Sequence, residues 1–294
     1  MKTTMKKTLT TTITILIVLF GFLYNQGYLN EYEDTINKYL IDHQTQEINS
    51  QIKETNFSGS SFRVANWNLQ IFGQSKASND TLLNFYAELI NDYDIIFIQE
   101  IRDSSQTAFP KLTNKLPEFE SIVSSRAGQS TSKEQVGILY RDEFELIEVI
   151  DYNNESLGYR NDFNRPPIAA TFKIENYTFT IYNMHTDPDE VTEELNELEK
   201  IVLENNEGNI MILGDLNADG NYYNNKKEVQ FDSWNWIIKD QEDTTVSKND
   251  NSYDRIILNS DMSDEFLDYG IYRDNIDKKI SDHYLIWGEF NYNE

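Results

Sequence analysis

The sequence predicts an α/β fold in which β-sheets pack together and helices cover them. Three observations carry this. Short apolar runs of strand length recur along the chain, and several end in a polar or charged residue. Nearly continuous apolar runs are what strands buried on both faces look like. A few segments with helical spacing lie between them, so both hairpin and crossover connections are implied. Finally, 294 residues with 39% hydrophobic and 13% aromatic content supply enough apolar material for a core.

The chain begins with a basic leader, Lys2, Lys6 and Lys7, followed by an apolar run from Ile13 to Leu23. Residues 1–24 therefore read as a signal peptide or an N-terminal membrane anchor. Both readings stay open, because no clean small-x-small cleavage site follows and the run is only just long enough to span. Either way the main body faces outside the cytoplasm. Residues 25–60 are polar, with Tyr32, Ile36, Tyr39, Leu40 and Ile48 near helical spacing, and read as a partly helical linker. The turn-rich NFSGSS at 56–61 marks the boundary of a domain spanning 61–294.

Within that domain FRVANWN (62–68) alternates as a strand, and TLLNFYAELIND (81–92) has helical spacing. DIIFIQE (94–100) is a buried strand, and Ser105 to Leu116 reads as helical. QVGILYRD (135–142) and FELIEVIDY (144–152) read as one hairpin. A second hairpin spans 167–186 and turns at Glu175-Asn176. Residues 188–205 form the strongest helical pattern, with Pro188 in the first turn and acidic residues at the positive end of the dipole. NIMILGDLN (209–217), SYDRIIL (252–258) and HYLIWGEF (283–290) are the remaining strands.

The informative feature is where polar residues fall. Asn66 and Asn68 end one strand, Gln99 and Glu100 the next, His185 a third, and Asp215 with Asn217 a fourth. Asp254 opens a fifth, and Asp282 with His283 precedes the last. Strand-end loops on a rigid sheet are where sites are built. Collected at one place, Glu100, Asp215, Asp254 and Asp282 make an anionic cluster that needs a cation. All-oxygen ligands point to Mg²⁺, Mn²⁺ or Ca²⁺. The chain has no cysteine, which excludes disulfides, thiolate metal sites and cysteine nucleophiles. Its three histidines are His43, His185 and His283. The net charge of −25 is not the basic footprint usual for nucleic-acid binders. It is compatible with such a partner where the acid lies off the binding face or holds cations.

The order N-x-N, QE, His after an apolar strand, GDLNAD, YDRI and SDH resembles the endonuclease/exonuclease/phosphatase superfamily. More narrowly, WNLQIFGQSK (67–76), YDIIFIQEIRDS (93–104), SKEQ (132–135), GDLNAD (214–219), SYDRI (252–256) and ISDHY (280–284) resemble deoxyribonuclease I-like enzymes across 62–291. The resemblance implies a four-layer α/β sandwich, two packed mixed β-sheets flanked by helices. It implies two His–carboxylate pairs, His185 with Glu134 and His283 with Asp254, and places Asp215 near the attacking water. It gives Glu100 and Asp282 to the metal, Asn68 and Asn217 to the metal site and scissile phosphate, Arg102 to the DNA groove and Arg165 to substrate phosphates. Asp243, Thr244 and Thr245 resemble part of a structural Ca²⁺ loop, although an acidic turn is an equal reading. Ser132 and Gln70 depart from the family's DNA-contacting tyrosine and arginine. Gly220 and Asn251 stand where vertebrate secreted members carry a disulfide.

The implied activity is that of an extracytoplasmic endonuclease on DNA, dependent on Mg²⁺ or Mn²⁺ and weakly sequence-selective, acting as a monomer. The alternatives are a phosphodiesterase or phosphatase on lipid or small phosphates, which a membrane anchor suits, and a catalytically silent anchored binding protein.

Overall fold

The computed structural model describes residues 61–292, apart from residues 130, 206 and 225–229. The leader and the linker lie outside the described residues. Two six-stranded mixed sheets make up the body. The first has the order β11-β12-β1-β2-β4-β3 and the second β5-β6-β7-β8-β10-β9. In chain order the strands of the first sheet are β1 (Ser61–Phe72), β2 (Ile95–Ile101), β3 (Phe119–Val123), β4 (Gln135–Arg141), β11 (Phe266–Tyr272) and β12 (Leu285–Asn291). Those of the second are β5 (Glu145–Asp151), β6 (Ile168–Ile174), β7 (Tyr177–Asn183), β8 (Asn209–Asp215), β9 (Asn235–Trp236) and β10 (Asp254–Leu258). The helices are α1 (Gln74–Ala77), α2 (Asp80–Ile90), α3 (Ala108–Thr113), α4 (Val191–Glu204) and α5 (Ser260–Asp264).

Strand parity explains the layers. Val64, Ile95, Phe97 and Ile138 of the first sheet meet Phe172, Phe179, Met211, Leu213 and Ile256 of the second in one buried core. Their neighbours Ala65, Trp67, Ile96 and Ile98 turn to the other face and pack on Leu83, Tyr86 and Ile90 of α2 and Leu112 of α3. On the far side Ile210, Ile212 and Ile257 receive Leu195, Leu198, Ile201 and Val202 of α4. Central strands are thus buried on both faces, which is why they read as unbroken apolar runs. The four-layer sandwich is the architecture observed.

Three sequence readings need correction. Residues 135–152 do not form a hairpin. β4 pairs with β2 and β3 in the first sheet, and β5 pairs with β6 in the second. Arg141 accepts the amide of Phe144 in a tight turn, and Phe144 then enters the core between the sheets, so the chain changes layers there. Pro188 lies ahead of α4, whose helical backbone begins at Val191. The helix expected from Ser105 to Leu116 is confined to α3, because Asp103 ties down the amides of Ser105, Thr107 and Ala108 and holds 105–107 as its lead-in. The hairpin at 167–186 is present, turning at Glu175 with φ 53°.

Pairing directions bring the strand ends to one edge. β1 and β2 run parallel, as do β7 and β8. β4, β10 and β12 run against β2, β8 and β1. The carboxyl ends of β1, β2, β7 and β8 therefore meet the amino ends of β4, β10 and β12.

Candidate active site

Three buried amides join the sheets beneath that edge. Asn66 Nδ2 donates to Gln99 Oε1 (3.2 Å), Gln99 Nε2 to Asn183 Oδ1 (3.1 Å), and Asn183 Nδ2 back to Asn66 Oδ1 (2.9 Å). Each is fully buried, and each both donates and accepts, so the ring leaves no amide unpaired across the interface. Gln99 also accepts the amide of Asp215 and donates to Met184 O, which ties β2 to the ends of β7 and β8. Gly214, with φ 152°, has no tolerable replacement here: a Cβ would stand 2.1 Å from Met184 O.

Above this floor, Asp215 is the focal group. Its Oδ2 accepts from Asn68 Nδ2 at 3.1 Å and lies 3.4 Å from Nε2 of both His185 and His283. Behind the first imidazole, His185 Nδ1 meets Glu134 Oε1 at 2.6 Å. Behind the second, His283 Nδ1 meets Asp254 Oδ2 at 2.7 Å. The two imidazoles thus face one carboxylate oxygen, each oriented by a carboxylate of its own.

The flanks differ in charge. Arg102 bridges Glu134 Oε2 (3.0 Å) and Glu100 Oε2 (3.2 Å), and Arg165 lies 3.3 Å from Glu134 Oε1. Arg165 also donates to the carbonyls of His185 and Thr186. Asn217 donates to Thr186 O and, at φ 47°, gives its own amide to Asp215 Oδ1. On the other flank Gln70 Nε2 donates to Asp282 Oδ2, and the amide of Ile71 to Glu100 Oε2. Gln70, Ile71 and Glu100 all have positive φ, at 43°, 58° and 61°. Left-handed backbone in bulky residues is costly and persists where surrounding contacts enforce it. Here it lies at the β1–β2 register break between Asn68 and Phe72 and turns Glu100 into the site.

Charge states follow from these neighbours. Burial opposes ionisation of Glu134, but facing His185, Arg165 and Arg102 outweigh it and bring the carboxyl down to about 2. Burial works against a charge on His283, yet Asp254, Asp215 and Asp282 raise it to about 10. His185 is also raised: burial lowers it and Arg165 opposes protonation, but Glu134 prevails. Asp215 is lowered despite its burial, by His283 and His185. Burial raises Asp254.

The donor chemistry suits a hard divalent cation. Glu100, Glu134 and His185 form one group with ligand atoms within 4.8 Å of one another, and Asp215, Asp254 and His283 another. Asp254 Oδ1 is buried with no hydrogen-bond partner, and oxygens outnumber nitrogens in both groups.

The structure gathers Asn68, Glu100, Arg102, Glu134, Arg165, His185, Asp215, Asn217, Asp254, Asp282 and His283 at this edge. Asp243 and Thr245 lie in a neighbouring loop, where Asp243 Oδ1 already accepts the amides of Thr245 and Asn251 and the Thr245 hydroxyl. Thr245 meets the site through a backbone bridge to His283. Sequence reasoning missed the supports. Asn183 carries the same strand-tip signal as Asn66. Lys76, in the GQSK stretch, clamps the carbonyls of Leu69 and Ile280 at 2.7 Å each.

The sequence model of the endonuclease/exonuclease/phosphatase family matches residues 65–283. Deoxyribonuclease-1 of Equus caballus is 31% identical over 257 residues, covering 77% of this chain and 91% of that protein. Human deoxyribonuclease gamma is 30% identical over 222 residues, covering 68% and 73%. Among solved structures, the mannosyl-6-phosphatase Bt3783 of Bacteroides thetaiotaomicron superposes with a TM-score of 0.59 at 18% identity, over 79% of this chain and all of that one. D. rerio TDP2 complexed with a single-strand DNA product gives 0.58 at 16%, again over 79% and all. The structural likenesses establish the fold and the sequence likenesses the lineage: the chain is a hydrolase-type member of the endonuclease/exonuclease/phosphatase family.

Proposed function

We propose that the protein is a divalent-metal-dependent endonuclease that hydrolyses phosphodiester bonds of DNA with little sequence selectivity, outside the cytoplasm and as a monomer. The observation that carries this is the convergence of two carboxylate-backed imidazoles on one oxygen of Asp215. Hydrolysis needs a proton taken from water and another given to the leaving oxygen, and two imidazoles sharing one carboxylate suit both when one ring is neutral and the other charged. Glu134 and Asp254 fix each ring and support its charged form. Asp215, between them, orients the water. The imidazoles share that carboxylate, so they titrate as a set rather than singly. Asn68, Asn217 and Arg165 hold the scissile phosphate, and Arg102 reaches the groove. Glu100, with Asp282 on the same rim, would hold a Mg²⁺ or Mn²⁺ ion, which when bound would supply charge neutralisation and polarisation of the phosphate. A Ca²⁺ ion on the Asp243–Thr245 loop is a separate, structural part of the reading. The basic, apolar leader supports the location, whether cleaved or kept as an anchor.

The test is nicking of supercoiled plasmid with Mg²⁺, Mn²⁺ or EDTA. Nicking that needs the metal and is lost in both histidine variants is expected. Hydrolysis of sphingomyelin or small phosphate esters with plasmid untouched would replace this reading with a lipid or small-phosphate hydrolase.

A further inference from the structure

Glu194 plays no part in the chemistry above, yet it is a charged side chain with only 1% of its surface exposed. It stands in the first turn of α4, on the face that packs against the second sheet. Its two oxygens serve two different loops. Oε1 accepts the amide of Asn164 and Oε2 the amide of Asp187, both at 2.6 Å. Asn164 directly precedes Arg165, and Asp187 follows His185 by two residues. The loops are also joined beyond Glu194: Arg165 donates to His185 O and Thr186 O, Asn164 Nδ2 to Asp187 Oδ2, and Asn217 Nδ2 to Thr186 O.

We propose that Glu194 is a positioning residue that sets the spacing of Arg165 and His185 by holding both loops on one carboxylate. The proposal rests on the functional reading of those two residues.

Two amides from separate loops need two acceptor oxygens on one side chain. A carboxylate has them, whereas glutamine offers one oxygen and turns an NH₂ against the second amide. The position is costly to keep. Burial outweighs the two amide bonds and the nearby Arg165 and pushes the carboxyl up to about 7. A buried acid kept at such a cost points to a role beyond packing.

The experiment uses the full-length protein and Glu194→Gln. One readout is kcat/KM for plasmid nicking, alone and combined with Arg165→Ala. The other is the imidazole NMR spectrum, readable because the chain has three histidines. Expected is a loss of roughly 10- to 100-fold, the scale of one hydrogen bond to a charged group. That loss should shrink in the Arg165→Ala background, as coupled residues require. It should multiply with Arg63→Ala, whose ion pair with Glu289 lies on β1 and β12 away from these loops. The His185 resonances should move more than those of His283, which feel the change only through the shared Asp215 oxygen. Unchanged kcat/KM with an unmoved His185 signal overturns the proposal. So does a loss that multiplies equally in both backgrounds, since that marks general destabilisation. Should Glu194→Gln fail to fold by circular dichroism, Glu194→Asp keeps both oxygens and shortens the reach, and the same readouts decide. If the wild-type protein leaves DNA intact, the nuclease reading fails, and the imidazole spectra still decide the role of Glu194.

Discussion

The two His–carboxylate pairs solve one geometric problem in two electrostatic settings. Each takes one member from either sheet. His185 follows β7 and Glu134 precedes β4, while His283 precedes β12 and Asp254 opens β10. The ring-to-carboxylate distances are 2.6 and 2.7 Å, and both rings lie 3.4 Å from Asp215. The surroundings are not alike. Glu134 is shared with Arg102 and Arg165. Among the described residues, no arginine or lysine is ion-paired with Asp254, Asp215 or Asp282. Matching geometry does not imply matching charge, so the halves should fail differently when stressed.

The largest expected effect removes a ring. His185→Ala and His283→Ala should each lower the nicking rate on the order of 10²- to 10⁴-fold. Because the rings act on one reaction, the double variant should lose far less than the product of the two. Initial rates on plasmid check this; full additivity would mean the pairs work independently.

Stability against pH should separate the halves next. Glu134 falls from 4.5 to about 2, so its contribution is complete above pH 4.5 and is lost as pH falls toward 2. His283 rises from 6.5 to about 10, so its contribution is complete below pH 6.5 and is lost as pH rises through 10. The Glu134 displacement corresponds to on the order of 3 kcal/mol. Melting temperatures in EDTA should show Glu134→Gln flattening the acid limb and His283→Gln the alkaline one. If both variants flatten the same limb, the contrast between the halves is wrong.

Smaller effects should appear in substrate affinity. Arg102→Ala should raise KM for DNA about 10-fold and reduce the salt slope of binding by about one, as loss of one phosphate contact does. Conversely, Gln70→Arg adds a cation to a flank whose Lys76 is already bound to the carbonyls of Leu69 and Ile280, and should tighten DNA binding by about 2- to 5-fold at low salt. Binding titrations at two ionic strengths measure both. An arginine at 70 that changes nothing would show that the Asp282 flank does not meet DNA.

The sequence revealed the site better than it revealed the edges of the sheets. Central strands are apolar on both faces, so the polar residue at each tip stood out against them. β3 and β11 carry mixed, partly exposed patterns, FESIV and FLDYGIY, which lack that contrast. The false hairpin at 135–152 arose because two strands joined by a short turn look paired; their partners are distant in sequence. Glu194 was hidden among Glu190, Glu193, Glu197 and Glu199, where nothing local tells a buried acid from a solvated one. Its role comes from two loops that only the fold brings together.

The ring of Asn66, Gln99 and Asn183 bears on how the molecule comes apart. It joins the sheets directly under the site, and both His–carboxylate pairs span the same seam. A slip of one sheet against the other would break the ring and separate each ring from its carboxylate in one event. Loss of activity and loss of tertiary structure should therefore be a single cooperative transition, with no folded but inactive state before melting. The amides carry no charge to titrate, so the ring itself is not loosened by acid or alkali, unlike the pairs above it.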